Sequence, residues 1–192
     1  MTQLLNAEVE DDGEVRKLTR TEVLTYTSMI AGAGNETTTR LIGFACQLLA
    51  DHPAQRRELV ADPALIPGAI EEVLRYEAPS PVQARYVAHD TECLGQLIAE
   101  GSIMLLINGS ANRDEAHFPN GEQFDIHRRG GHLSFGQGLH FCLGTSLARM
   151  QARVVLEELL KRWPQWDVDY ARASKAHTAS VRGWSKLPIM TR

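Results

Sequence analysis

The chain has 192 residues, 43% of them hydrophobic and 23% charged, with a formal net charge of −4. That length can bury one sizeable core, and the slight acidic balance, without a dense Lys/Arg block, excludes an electrostatic case for nucleic acid. No apolar run reaches the length of a membrane span, and the acidic stretch after the first residues is not expected to be a signal peptide, so no membrane partner and a cytoplasmic location are expected. Three cysteines, Cys46, Cys93 and Cys142, form no paired motif, which argues against a disulfide framework.

Residues 1–18 read as a polar, loop-like lead-in that turns at Asp11-Asp12-Gly13. Thr19-Arg20-Thr21-Glu22 carries a capping-box pattern, so a helix should start there and run to about residue 50, roughly 45 Å at the α-helical rise. Asp51-His52-Pro53 stops it, and Asp51 is expected to cap a second helix with Pro53 in its first turn. A third helix should cover 67–77 and end before Pro79. Short strands are expected over 82–88, 94–99 and 103–107, then a brief helix over 109–116. Residues 117–141 are rich in Gly, Pro, His and Arg with little periodicity, and a loop of that length inside a domain is commonly functional. From Cys142 to residue 162 the pattern is helical, with Leu143, Leu147, Met150 and Val154 on one face, joined by Val155 and Leu159. Pro164 ends it, and 165–192 suggests short strands and turns. Cys46 in its helical run and Cys93 in its strand-like run are expected to be structural, packing as small hydrophobes.

The segment 135–144, Phe-Gly-Gln-Gly-Leu-His-Phe-Cys-Leu-Gly, places one thiol between a glycine-rich loop and the start of the last long helix. Unpaired N–H groups and the positive end of the helix dipole favour a thiolate there. Gly136, Gly138 and Gly144 clear side chains from around the sulfur and permit positive φ, so a large flat ligand can come close, while Phe135 and Phe141 can wall off water. The same residues leave other readings open. One is an inert buried cysteine at a helix cap. A second is a zinc site from His132, His140 and Cys142, which lacks a fourth ligand. A third is a Cys–His nucleophile, which lacks an orienting Asn or Asp.

Glu72 and Arg75 stand at i,i+3 on one helix face; alone they read as an exposed ion pair worth about 0.2–0.5 kcal/mol. Arg85 alone reads as a solvated strand residue. Residues 31–39, Ala-Gly-Ala-Gly-Asn-Glu-Thr-Thr-Thr, put two glycines and three threonines inside a helix, each Gly costing about 1 kcal/mol relative to Ala. Either the helix opens locally to admit a ligand, with the Thr37 hydroxyl bonded to the Ala33 carbonyl or turned toward a pocket, or the glycines form a packing notch for a crossing helix.

Residues 135–144 resemble the haem-binding signature FxxGxxxCxG of the cytochrome P-450 family, in its bacterial form with His two residues before Cys. Residues 33–37 resemble the family's [AG]-G-x-[DE]-T motif, Glu72 and Arg75 its ExxR helix, and 124–128 its FxPxR-like segment, with Ile126 where Pro is often found. The resemblance covers the chain from about residue 19 and implies a mainly α fold with a small β region, the C-terminal haem-binding half of the P-450 fold, over 19–192. It implies that Cys142 is the axial thiolate of a b-type haem, the group whose iron it would ligate, cradled by Phe135, Gly136 and Gly144, and that His140 and Arg85 meet the propionates. Ala33 and Gly34 would line the oxygen pocket, Thr37 would donate a hydrogen bond to dioxygen, and Glu36 would relay protons. Glu72, Arg75 and Arg128 would form a buried network.

The implied reaction is reductive O2 activation and hydroxylation of an apolar small molecule, with electrons from an NAD(P)H-dependent reductase through a ferredoxin. Arg149 and Arg153, at i,i+4, are either part of that partner's docking patch or a solvated helix face. Positional analogy puts substrate contacts at Ile30, Ala33, 79–84 and 177–181. Family members are considerably longer, and the part not represented falls before the long helix, so the chain reads as a C-terminal half. Two rival readings are a non-catalytic haem-binding remnant and a thiolate-haem peroxygenase or isomerase. The Glu36-Thr37 pair argues against the latter, since O2 activation is what needs proton delivery.

Overall fold

A computed structural model describes residues 2–192, in two compact units that divide between Glu36 and Thr37. The first contains α1 (Thr2–Asn6), β1 (Glu8–Asp11), β2 (Glu14–Lys17) and the opening of α2 (Arg20–Asp51). The lead-in expected to be a loop is a hairpin, with Glu8 opposite Lys17 and Asp11 opposite Glu14. Asp12 and Gly13 take φ of 50° and 82°, the pair of positive φ values that lets a two-residue turn match the strand twist. Charged residues in four-residue strands concealed the alternation. The capping box forms as its residues predict. The Glu22 amide donates to Thr19 Oγ1 at 3.2 Å, and the Thr19 amide donates to Glu22 Oε2 at 2.7 Å.

The second unit holds the core. Leu41, Phe44, Ala45, Leu48 and Leu49 recur at helical spacing along α2 and are buried, a stripe wide enough to face a core. After α2 come α3 (Pro53–Ala61), a 3-10 turn at Pro63–Leu65 and α4 (Ile66–Tyr76). Leu59 of α3, Ile66, Ala69, Ile70, Val73 and Leu74 of α4, and Phe124 and Ile126 of the long loop complete much of the core. Asp51 does not cap α3, because it is the last residue of α2 and its Oδ1 accepts the Tyr170 hydroxyl at 2.6 Å. His52 occupies the cap position without a side-chain cap bond.

The β region is a set of two-stranded antiparallel ladders: β3 (Gln83–Tyr86) with β6 (Ile103–Leu106), and β4 (Thr91–Cys93) with β5 (Gln96–Ile98). The strand expected to start at residue 94 instead has a turn there, with φ of 51° at Leu94 and 77° at Gly95. Cys93, expected to pack inside, is exposed beside that turn, while Cys46 is buried as expected and its burial pushes the thiol up to about 11. Helix α5 (Asn108–Ala111) is shorter than the 109–116 expected.

Helix α6 (Thr145–Arg162) begins three residues after Cys142 rather than at it, with Gly144 at the cap. The apolar face read from the sequence is not the one that supplies most of its core residues, although Leu159 beside it packs against the core. Ala152, Leu156 and Leu160 enter the core, whereas Leu143 before the helix and Leu147, Met150 and Val154 within it are exposed. The sequence carries two apolar stripes, and periodicity alone does not rank them. The chain closes with β7 (Trp166–Val168), β8 (Ser174–Lys175), β9 (Trp184–Lys186) and β10 (Ile189–Thr191), β7 pairing with β10 and β8 with β9. Trp166 is fully buried; its indole N–H donates to the Cys46 carbonyl at 2.9 Å, and the Arg56 guanidinium lies 4.6 Å over its ring. Among the described residues, no helix is long and apolar enough to cross a membrane.

Candidate functional site

Helix α4 aims two adjacent glutamates in different directions. Glu72 and Arg75 are each 2% exposed, so the surface ion pair that i,i+3 spacing alone suggests is instead an interior clamp. Arg75 Nε donates to Glu72 Oε2 at 2.7 Å and Nη2 to Oε1 at 2.8 Å. Its Nη1 donates to the carbonyls of Asn112 and Gly121, both at 2.8 Å, and Nη2 also to that of Gln123 at 3.0 Å. All five guanidinium N–H groups thus have acceptors. Glu72 Oε1 also accepts the Asp125 amide at 2.9 Å and Arg128 Nε at 3.4 Å, and Arg128 ties down the carbonyls of Pro119, Asn120 and Gln123. Glu72, Arg75 and Arg128 are therefore brought together, and Ile126 is buried in the core.

Asn112, which no sequence pattern singles out, links this clamp to the cysteine loop. It is fully buried. Its Oδ1 accepts the Leu133 amide at 2.7 Å, and its Nδ2 donates to Ser134 Oγ at 2.8 Å, whose hydroxyl donates to the Leu74 carbonyl at 2.6 Å. A lone Asn gives no sequence signal, because its value depends on partners far along the chain.

The loop then folds on itself. The Gly136 amide donates to the Leu133 carbonyl, and the Cys142 amide to the Phe135 carbonyl, both at 2.9 Å. Gly136 and Gly138 take φ of 72° and 76°, values that carry a steric cost for residues with a Cβ. A Cβ at Gly138 would meet open space, and one at Gly144 would lie 3.8 Å from Cys142 Sγ. Thr145 Oγ1 donates to the Cys142 carbonyl at 2.6 Å, fixing the residue just ahead of α6. The Cys142 thiol is exposed, which removes the inert buried-cap reading. Leu139, His140, Phe141 and Leu143 around it are exposed too, and Phe135 is half-buried. Among the described residues no group of three His, Cys, Asp or Glu could hold a metal ion, so the zinc reading has no site.

Arg85 stands exposed on β3, with Nη1 donating to the Ala84 carbonyl at 2.8 Å. Ala33, Gly34 and Glu36 belong to the first unit and Thr37 to the second. All four lie within α2. A Cβ at Gly32 or Gly34 would meet no atom within 4 Å, so no neighbour among the described residues requires the glycines as a packing notch. Arg149 and Arg153 do not form one free patch, since Arg149 is forked onto Glu71 and Arg153 Nε lies 3.4 Å from Glu157 Oε1.

A family profile described as Cytochrome P450 matches residues 1–172. The chain belongs to the cytochrome P450 family. Over 188 residues it is 43% identical to "Putative cytochrome P450 123" of Mycobacterium tuberculosis, covering 97% of this chain and 46% of that protein. It is 36% identical over 192 residues to the 6-deoxyerythronolide B hydroxylase of Saccharopolyspora erythraea, covering 98% of this chain and 47% of that one. Among solved structures it resembles cytochrome P450 CYP109Q5 from Chondromyces apiculatus at a TM-score of 0.90 and 45% identity, covering 99% of this chain and 48% of that chain. The chain spans about half the length of the relatives it matches.

Cytochromes P450 are haem proteins, and the residues around Cys142 fit that group. Haem brings its own equatorial nitrogens, so it needs only a protein thiolate here, and this site offers one accessible sulfur without further ligating side chains. Exposed Leu139, Phe141 and Leu143 suit an apolar macrocycle, and the side-chain-free Gly136 and Gly138 let it approach the backbone.

Proposed function

We propose that this chain carries the haem-thiolate site of a monooxygenase, with Cys142 as the axial ligand. The observation that supports it most is an exposed thiol on a loop pinned by its own backbone, at the position of the family's cysteine motif. Bound through a cysteine thiolate, haem supplies reductive activation of O2, the sulfur favouring O–O cleavage. The chain's own residues hold and steer. The Cys142 amide bond to Phe135 and the Thr145 hydroxyl bond to its carbonyl fix the backbone that carries the sulfur. Arg85 and His140 supply cationic and hydrogen-bonding groups for the haem carboxylates. The haem is taken as b-type from the resemblance of residues 135–144 to the family's haem-binding signature.

Thr37 is assigned a hydroxyl donor role on the oxygen side, Glu36 a proton-relay role, and Ala33 and Gly34 the lining of the oxygen pocket, all from their match to the family motif. The substrate class is an apolar small molecule. Electrons come from an NAD(P)H-dependent reductase through a ferredoxin.

A second reading is favoured by the apolar residues of α6 and its approach, Leu143, Leu147, Met150 and Val154, which are exposed: the chain holds haem but turns over poorly, because apolar surface of the kind monomers seldom leave open is uncovered beside the thiol. One preparation tests both. Load the chain with haem, reduce it, and add carbon monoxide. A strongly red-shifted Soret band that disappears in Cys142→Ser supports the ligand assignment, and its persistence in that variant would reject it. Tightly coupled product formation with NAD(P)H, reductase and ferredoxin selects the monooxygenase reading over the haem-holding one.

A further inference from the structure

The other glutamate of the adjacent pair, Glu71, is not part of the family motif that names Glu72, yet it is the more directly connected to the cysteine loop. Arg149, seven residues beyond Cys142 on α6, forks onto it, with Nε donating to Oε1 at 2.7 Å and Nη2 to Oε2 at 2.6 Å. A bidentate guanidinium–carboxylate pair fixes orientation as well as distance. The same guanidinium lies 4.8 Å over the Phe135 ring, within cation–π range, and Phe135 is the residue whose carbonyl holds the Cys142 amide.

From the other side comes His132, whose side chain is only 4% exposed. Its Nδ1 accepts the Ser134 amide at 3.1 Å, and its buried Nε2, which has no hydrogen-bond partner among the described residues, lies 3.3 Å from Glu71 Oε2. One carboxylate thereby gathers the start of the loop through His132 and its centre through Arg149 and Phe135.

We propose that Glu71, Arg149 and His132 form a positioning relay that fixes the Cys142 loop against α4 and α6. They are positioning residues, acting on the sulfur through Phe135 and Ser134. The consequence for haem ligation rests on the reading of Cys142 as the ligand; the geometry of the loop does not.

The test is hydrogen exchange on the 192-residue chain, wild type against Arg149→Gln and Arg149→Lys. Arg149→Gln should speed exchange at the Cys142 and Gly136 amides by about tenfold or more and leave the Asp125 amide, bonded to Glu72, unchanged. Arg149→Lys keeps the charge but loses the fork, and should fall between. If Arg149→Gln does not fold, Arg149→Lys is read on the same amides. No acceleration in either folded variant, or equal acceleration at the loop and at Asp125, overturns the proposal. In the haem-loaded chain the same variants should lower the red-shifted fraction after carbon monoxide. If the wild type shows no such band, the haem reading fails while the exchange result still decides the relay.

Discussion

Arg75 has an oxygen acceptor for each of its N–H groups and almost no contact with water, whereas the sulfur of Cys142 and the side chains of Leu139, Phe141 and Leu143 stand open. Both stretches belong to the same unit, and Asn112 and Ser134 join them. The clamp converts buried charge into a fixed path for residues 112–128. Its tolerance for change is low, because any lost partner strands a charge away from water. The loop spends its backbone bonds on shape and keeps its side chains available. A haem site needs both, since a ligating sulfur must be accessible yet must not wander.

The sharpest way to break the comparison is Glu72→Ala. It leaves Arg75 charged, buried and without its carboxylate, and should cost about 3–5 kcal/mol in urea unfolding. A loss under about 1 kcal/mol would place the pair among surface ion pairs.

Glu71 offers a smaller and pH-dependent effect. Burial pushes its carboxyl up, but the Arg149 fork and the His132 ring outweigh burial and hold it at about 2, below its ordinary 4.5. The folded chain therefore binds this proton less readily than the unfolded chain, so the contribution is complete above about pH 4.5 and fades as pH falls toward about 2. The gap in thermal midpoint between wild type and Glu71→Gln should narrow across that window. A constant gap would show that the Glu71 charge contributes nothing to folding.

The smallest effect on folding should come from Cys142→Ser. The side chain is exposed, so unfolding in urea should shift by no more than about 0.5 kcal/mol, even though the variant removes the proposed haem ligand. A large loss would mean the sulfur is part of the core, against its exposure.

Much of this was legible because the signals are local. The capping box at Thr19 and Glu22, the stop at Pro53 and the glycine–cysteine segment each state their geometry within a few residues, and the last identifies the family. Other features depended on partners far away. Glu72 and Arg75 read alone as a surface pair, and only the carbonyls of Asn112, Gly121 and Gln123 make them an interior clamp. Asn112 had no pattern of its own, and the sequence offered His132 and Arg149 for other roles, a zinc ligand and a docking patch or solvated face.

Local chemistry alone determined where α2 begins and which thiol is singled out, since caps, turns and glycine conformations involve neighbours in sequence. Only tertiary structure decided which apolar stripe of α6 is buried, where Cys93 lies and which glutamate serves the loop. Burial and charge pairing are settled by what lies opposite, and residues as far apart as Glu71 and Arg149 meet only once the chain is folded.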